Sequence, residues 1–364
     1  MNLMAQARNP TNGLSPACQR LCPAVNPRPK PMGKSFLDRR SWPVHAGILV
    51  LFLLTAGFSP FATAFDLQGH RGARGLMPEN TLPAFERALA IGVTTLELDT
   101  GITADGVVVI SHDPVLNPDL VRGPDGQWLT SPTPIRSLSW SQLQPYDVGR
   151  IRPGSRYAQQ FPHQQAIDGT RMPKLADLFE RVKVLGADTV QFDIETKIDP
   201  RRPEVTLAPE PFVQALLAVI RAHGLEERVM VQSFDWRTLQ LLRAQAPKVR
   251  TVYLSAQRPQ FNTIDTEPGL WTAGLRLADH GSVPRMVKAA GGHVWSPNFN
   301  DLSPALLREA QGLGLMVIPW TVNEPADIAR ILDWPVDGII SDYPDRVRTE
   351  MARRGLPLPL PVKP

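Results

Sequence analysis

The 364-residue chain is 43% hydrophobic and 20% charged, a balance that fills a large core and excludes a disordered chain, a collagen-like repeat or a disulfide-stapled miniprotein. Its 37 prolines are scattered, so they punctuate loops and form no low-complexity tract. The formal charge of +4 is unevenly distributed: residues 1–64 hold seven Lys/Arg against Asp38 alone, leaving 32 basic and 34 acidic residues beyond them, with no basic footprint for a nucleic acid.

Residues 46–58 form an apolar run of thirteen, short of the about 20 that a spanning helix needs. Lys34, Arg39 and Arg40 precede it and Ala62-Thr63-Ala64 follows, the three regions of a secretory signal peptide with cleavage expected after Ala64. An uncleaved anchor is the alternative. Met32 is a second candidate start, which would make 1–31 an over-extended reading of the gene. Both cysteines, Cys18 and Cys22, fall in the leader, so the mature chain has no disulfide, no thiolate and no lipid-anchored Cys. A periplasmic or secreted enzyme with no stable membrane anchor is expected.

After Ala64, strand-like runs alternate with helical ones. Strands are predicted at 65–69, 94–99, 189–195, 229–233, 250–254, 293–296, 315–320 and 337–341. Helices are predicted at 82–91, 175–185, 211–223, 236–245, 303–312, 325–332 and 345–354. Eight strand-led units in about 250 residues imply an α/β fold of the TIM (β/α)8 barrel type. No GxGxxG turn follows the first strand to favour an open doubly wound sheet. The barrel is placed at 65–355, with a small insertion at 114–171 after the second strand, a second irregular excursion at 256–284 and a disordered Pro-rich tail at 356–364.

The first strand runs into His70-Arg71-Gly72, at the barrel face where active sites of this fold are built. Pro78-Glu79-Asn80-Thr81 then opens a helix that Asn80 or Thr81 caps. Glu97 and Asp99 alternate on the second strand and share its inward face. Two buried carboxylates side by side cost several kcal/mol unless compensated. A bound Mg²⁺ or Ca²⁺ is the preferred compensation, and a salt bridge to Arg71 or Lys197 the alternative. A turn at Ala104-Asp105-Gly106 returns His112 to the neighbourhood of this pair. The third strand adds Glu195 to the carboxylates and Lys197 as a charge for an anionic substrate. The set suits metal-assisted phosphoryl chemistry flanked by a general acid and a general base. His163 and His280 lie in irregular segments from which the mouth is in reach.

These motifs, together with Gln232-Ser233-Phe234, Pro319-Trp320-Thr321-Val322-Asn323 and Asp337-Gly338-Ile339-Ile340-Ser341-Asp342, resemble the glycerophosphodiester phosphodiesterase family over about 65–348. The resemblance implies divalent-metal-dependent hydrolysis of a small glycerophosphodiester to glycerol 3-phosphate and an alcohol. Carried over position by position, it makes His70 and His112 the acid/base pair and Glu97, Asp99 and Glu195 the metal ligands. Arg71 and Lys197 are expected on the phosphate, and Trp320 beside the glycerol. Two other readings are a phospholipase-D-like lyase acting on lysolipids or sphingolipids and a non-catalytic phosphodiester binder.

Overall fold

The computed structural model describes residues 65–266 and 269–363; the expected leader lies outside them. Eight parallel strands alternate with eight main helices. The strands are β1 Asp66–Gly69, β2 Thr95–Ile102, β3 Gln191–Thr196, β4 Val229–Ser233, β5 Arg250–Ser255, β6 Val294–Pro297, β7 Met316–Val317 and β8 Gly338–Ser341. The helices that follow them in turn are α1 Leu82–Ile91, α2 Leu175–Val184, α3 Pro209–Ala222, α4 Trp236–Gln245, α5 Val283–Ala289, α6 Pro304–Gly312, α7 Pro325–Leu332 and α8 Pro344–Arg353.

From β1 to β7 each strand pairs with the next, and β8 returns to β1 through the register Asp66↔Gly338 to Gly69↔Ser341. The β7–β8 seam has no ladder but is bridged by Asp337 N–H to Val317 O, Ile340 N–H to Pro319 O and Val322 N–H to Ile340 O. The result is the expected TIM barrel. All eight residues of β2 are buried, as strands covered by helices outside and filled by side chains inside must be.

Local chemistry sets the helix starts. The side chains of Thr81, Asp235, Ser282 and Ser303 cap α1, α4, α5 and α6, and proline occupies the first turn of all but α4 among these. Helix α5 has no counterpart in the periodicity reading, which ran the irregular excursion to residue 284. Its start depends on the Ser282 cap, and its buried face is made of Val283, Pro284, Met286 and Val287.

The barrel interior is divided. On the β4–β8 side it is apolar, a cluster of Met230, Val252, Val294, Ile318 and Ile340. On the β1–β3 side it is polar, with Asp66, Gln68, Glu97, Asp99, Asp193 and Glu195 all buried. The site grows from that polar half.

Two segments depart from expectation. Strand β2 runs three residues beyond its predicted end, because Thr100–Ile102 pairs antiparallel with Val108–Ile110 across the turn at Gly106. Between β2 and α2, the chain carries its own small core of Val109, Leu116, Val121, Ile135, Leu143 and Met172. The C-terminal segment expected to be disordered is seated on the barrel: Val362 N–H donates to Leu89 O, Arg348 donates to Pro359 O at 2.6 Å, and Leu356 and Val362 pack on the core. Its prolines prevent regular structure, yet its apolar side chains still find a surface to cover. Among the described residues, no helix is long and apolar enough to cross a membrane.

Candidate active site

Sequence neighbours cannot make this site; the C-terminal ends of the strands bring it together. Register places Asp99 opposite Glu195 and Glu97 opposite Asp193 across β2 and β3, so alternation aims Glu97, Asp99 and Glu195 inward on one face. One oxygen of each lies within 4.8 Å of the others, and all three residues are buried.

The triad is held from every side. Arg71 N–H donates to Glu97 Oε2 at 2.7 Å, and Gln232 Nε2 donates to Glu97 Oε1 at 2.6 Å. Asn80 Nδ2 donates to Asp99 Oδ2 at 2.9 Å. Lys197 Nζ stands 2.9 Å from Glu195 Oε1 and 3.6 Å from Asp99 Oδ1, and Arg71 Nε stands 3.2 Å from Asp99 Oδ2. The salt bridges weighed against the metal are therefore present alongside the triad.

They do not fully compensate it. Burial first, and then Asp99, push Glu97 well above the usual carboxylate range. Burial raises Glu195 to about 7, with Lys197 opposing and Asp99 adding. Asp99 is the exception, held well below its usual value against burial by Arg71, His112 and Lys197. Asp99 Oδ1 is buried and accepts no hydrogen bond. Three converging carboxylates and an orphaned oxygen are a hard, oxygen-only donor set of the kind a divalent cation takes.

Both histidines meet this rim. His70 Nδ1 lies 2.6 Å from Asp342 Oδ1, and its Nε2 is turned toward Glu97 Oε2 at 3.9 Å. Burial lowers His70 to about 4, Asp342 opposing and Arg74 and Arg71 adding to the effect. His112 Nδ1 lies 2.9 Å from Asp113 Oδ1, and burial with Arg71 and Lys197 lowers this ring as well. A neutral imidazole whose Nδ1–H donates a hydrogen bond to a carboxylate keeps Nε2 as an acceptor.

The turn between β1 and α1 has a demanding backbone. Arg71 and Asn80 both take positive φ, 51° and 56°, a region costing roughly 1–2 kcal/mol for a residue with a Cβ. Gly72 has φ 85°, and a Cβ there would meet Ala84 backbone at 2.6 Å. Arg71 is locked in place by Glu79 Oε1 at 2.7 Å as well as by Asp99. Thr81 caps α1, which frees Asn80 to reach Asp99.

Of the residues singled out from sequence, His70, Arg71, Glu97, His112, Glu195, Lys197 and Trp320 line one cleft of about 420 Å³, and Asp99 lies behind them. His163 and His280 do not line it. Asp342, Arg74 and Gln232 were not assigned roles from sequence, and Asn80, read as a candidate helix cap, instead holds Asp99. Asp342, Gln232 and Asn80 lie inside the quoted motifs, so a signal existed; Arg74 carried none. Arg74 forks onto Asp342 at 2.7 and 2.9 Å and also donates to Tyr157 at 3.3 Å, whose hydroxyl donates to Glu79.

Residues 70–346 match the model of the glycerophosphoryl diester phosphodiesterase family. The chain belongs to that family. It is an enzyme of that class. A glycerophosphodiester phosphodiesterase of Caldanaerobacter subterraneus is 27% identical over 286 residues, covering 79% of this chain and 97% of the relative. A solved protein from Silicibacter pomeroyi, described as a candidate glycerophosphoryl diester phosphodiesterase, is 38% identical with a TM-score of 0.72, covering 81% of this chain and 95% of the other. An Oleispira antarctica phosphodiesterase solved with sn-glycerol-3-phosphate shares the fold at 18% identity and TM-score 0.58, over 79% and 96% of the two chains.

Proposed function

We propose that this phosphodiesterase cleaves small glycerophosphodiesters to glycerol 3-phosphate and an alcohol with a divalent cation, Ca²⁺ or Mg²⁺, held by Glu97, Asp99 and Glu195. The single observation that supports it most is the convergence of three buried carboxylates between two imidazoles. When bound, the cation supplies charge neutralisation for the phosphoryl oxygens.

The chain's own groups do the rest. Arg71 and Lys197, already beside the carboxylates, are the cations that would meet the phosphate. One imidazole accepts the proton of the attacking oxygen as the new P–O bond forms. The other donates a proton to the alcohol oxygen as the old P–O bond breaks. Asp342 and Asp113 hold the two Nδ1 atoms, which leaves each Nε2 for the proton transfers. Trp320, whose indole N–H donates to Ser296 O at 2.9 Å, presents a rigid apolar wall suited to the carbon face of glycerol.

The signal-peptide pattern of residues 34–64 supports export to the periplasm or outside the cell. A coupled glycerol 3-phosphate assay on the purified chain, with EDTA and then with Ca²⁺ or Mg²⁺ restored, tests the chemistry. Product that forms at the full rate in EDTA would overturn the metal assignment. A lyase would instead leave a cyclic phosphate, and a mere binder no product at all.

A further inference from the structure

The outer half of the cleft differs in character from the catalytic floor. Phe234, Phe261, Trp271 and Trp320 form a run of edge-to-face contacts, with centroids 4.9 Å apart for Phe234–Phe261, 5.4 Å for Phe234–Trp320 and 5.6 Å for Phe261–Trp271. Such a wall would ordinarily suit a quaternary ammonium, which binds over aromatic faces. Two of these rings are already covered by the chain's own cations. Lys197 Nζ sits 6.0 Å from the Phe234 centroid, and the Arg201 guanidinium 5.1 Å from that of Trp271.

At the mouth, two arginines share one carboxylate. Arg201 forks onto Asp199 with two contacts of 2.8 Å, while Arg202 engages it through Nε at 3.3 Å. Their side chains are 54% and 53% exposed, against 12% for Asp199. The pair is thus one positive charge in surplus, with the terminal amino groups of Arg202 left for a ligand.

A diester seated with its phosphorus at the carboxylates extends an arm toward this mouth. Glycerol is uncharged, so a surplus charge there discriminates only through the alcohol arm. We infer that Arg201 and Arg202 make this enzyme select glycerophosphodiesters whose alcohol portion is anionic, and disfavour choline-like cationic arms; the inference rests on the phosphodiesterase reading above.

The test measures kcat/KM of the metal-loaded full chain on three probes whose alcohol arms carry charge −1, 0 and +1: deacylated diphosphatidylglycerol, glycerophosphoglycerol and glycerophosphocholine. The order should be anionic, neutral, cationic, with steps of about fivefold, the upper end for exposed ion pairs. Raising salt to about 0.5 M should compress the series, because screening then acts over a few ångströms. In an Arg202→Gln variant, with its Tm checked, the Arg201–Asp199 pair that remains is neutral and the three values should converge. A preference for the choline arm, or an unchanged series in the variant, would overturn the inference while leaving the phosphodiesterase reading intact. No glycerol 3-phosphate from any probe would overturn both.

Discussion

His70 and Asp342 stand 272 residues apart in the chain and 2.6 Å apart in the barrel, Nδ1 to Oδ1. The pair closes the ring of strands chemically as well as topologically, since β1 delivers one partner and β8 the other. Burial alone would raise Asp342, but Arg74 and His70 hold it well below the usual carboxylate range. Asn323 Nδ2 adds a hydrogen bond of 2.6 Å to its other oxygen. Asp342 is therefore a fixed anion that sets which way the His70 ring faces.

Asp342→Asn keeps the shape but removes that anion. It should lower kcat about a hundredfold, in the range of general acid–base contributions, with a smaller change in KM. The pH–rate profile should shift along with the rate, because the imidazolium loses its counter-ion. A wild-type kcat and profile would show that Asp342 is only structural.

Replacing either imidazole should be more severe than replacing its carboxylate. His70→Ala and His112→Ala are each expected to lose at least about 10²-fold in kcat/KM with an unchanged far-UV circular dichroism spectrum. Full activity in His112→Ala would remove it from the acid/base pair.

Metal removal is expected to destabilise as well as inactivate. Without a cation, burial and the neighbouring Asp99 charge disfavour the ionised forms of both Glu97 and Glu195. Adding Ca²⁺ or Mg²⁺ to EDTA-treated protein should raise Tm, by about 2.7 kcal/mol of stability at a hundred times the Kd. Glu97→Gln should weaken metal affinity first, with excess metal restoring part of the rate; isothermal titration separates the two effects.

Asp66 offers a pH test away from the catalytic rim. Burial raises it from 3.8, against hydrogen bonds from Thr95 and Gln68 and the charge of Arg250. A group whose folded value is raised gives stability that is complete below pH 3.8 and is lost as pH climbs through the folded value. Asp66→Asn should therefore gain stability relative to wild type as pH rises from about 4, read as the difference in urea midpoints. A pH-independent difference would mean that Asp66 does not titrate in that range.

Local pattern was enough for the barrel and for expecting most of the residues that meet in one cleft. Strand alternation put Glu97 and Asp99 on one face, capping chemistry opened α1 after Pro78-Glu79-Asn80-Thr81, and the turn at Gly106 returned His112 to the rim. These are short-range consequences of residue type, and each motif carries its own geometry. Helix α5 was missed because its seven residues follow an excursion of aromatic and Pro/Gly-rich sequence with no helical period. The seated C-terminal segment was missed because proline content reports the lack of regular structure, not the lack of a surface to pack on.

What the chain alone determined was the kit: which strands, which carboxylates, which imidazoles. Only the closed barrel decided their partners. Asp342 onto His70, Gln232 onto Glu97 and Arg74 onto Asp342 are contacts between strand ends and loops 135 to 272 residues apart, and nothing local encodes a distance across the barrel mouth. The same closure sets Arg201 over Trp271 at the rim, because side-chain charge is written in the sequence but the surface it faces is made by folding.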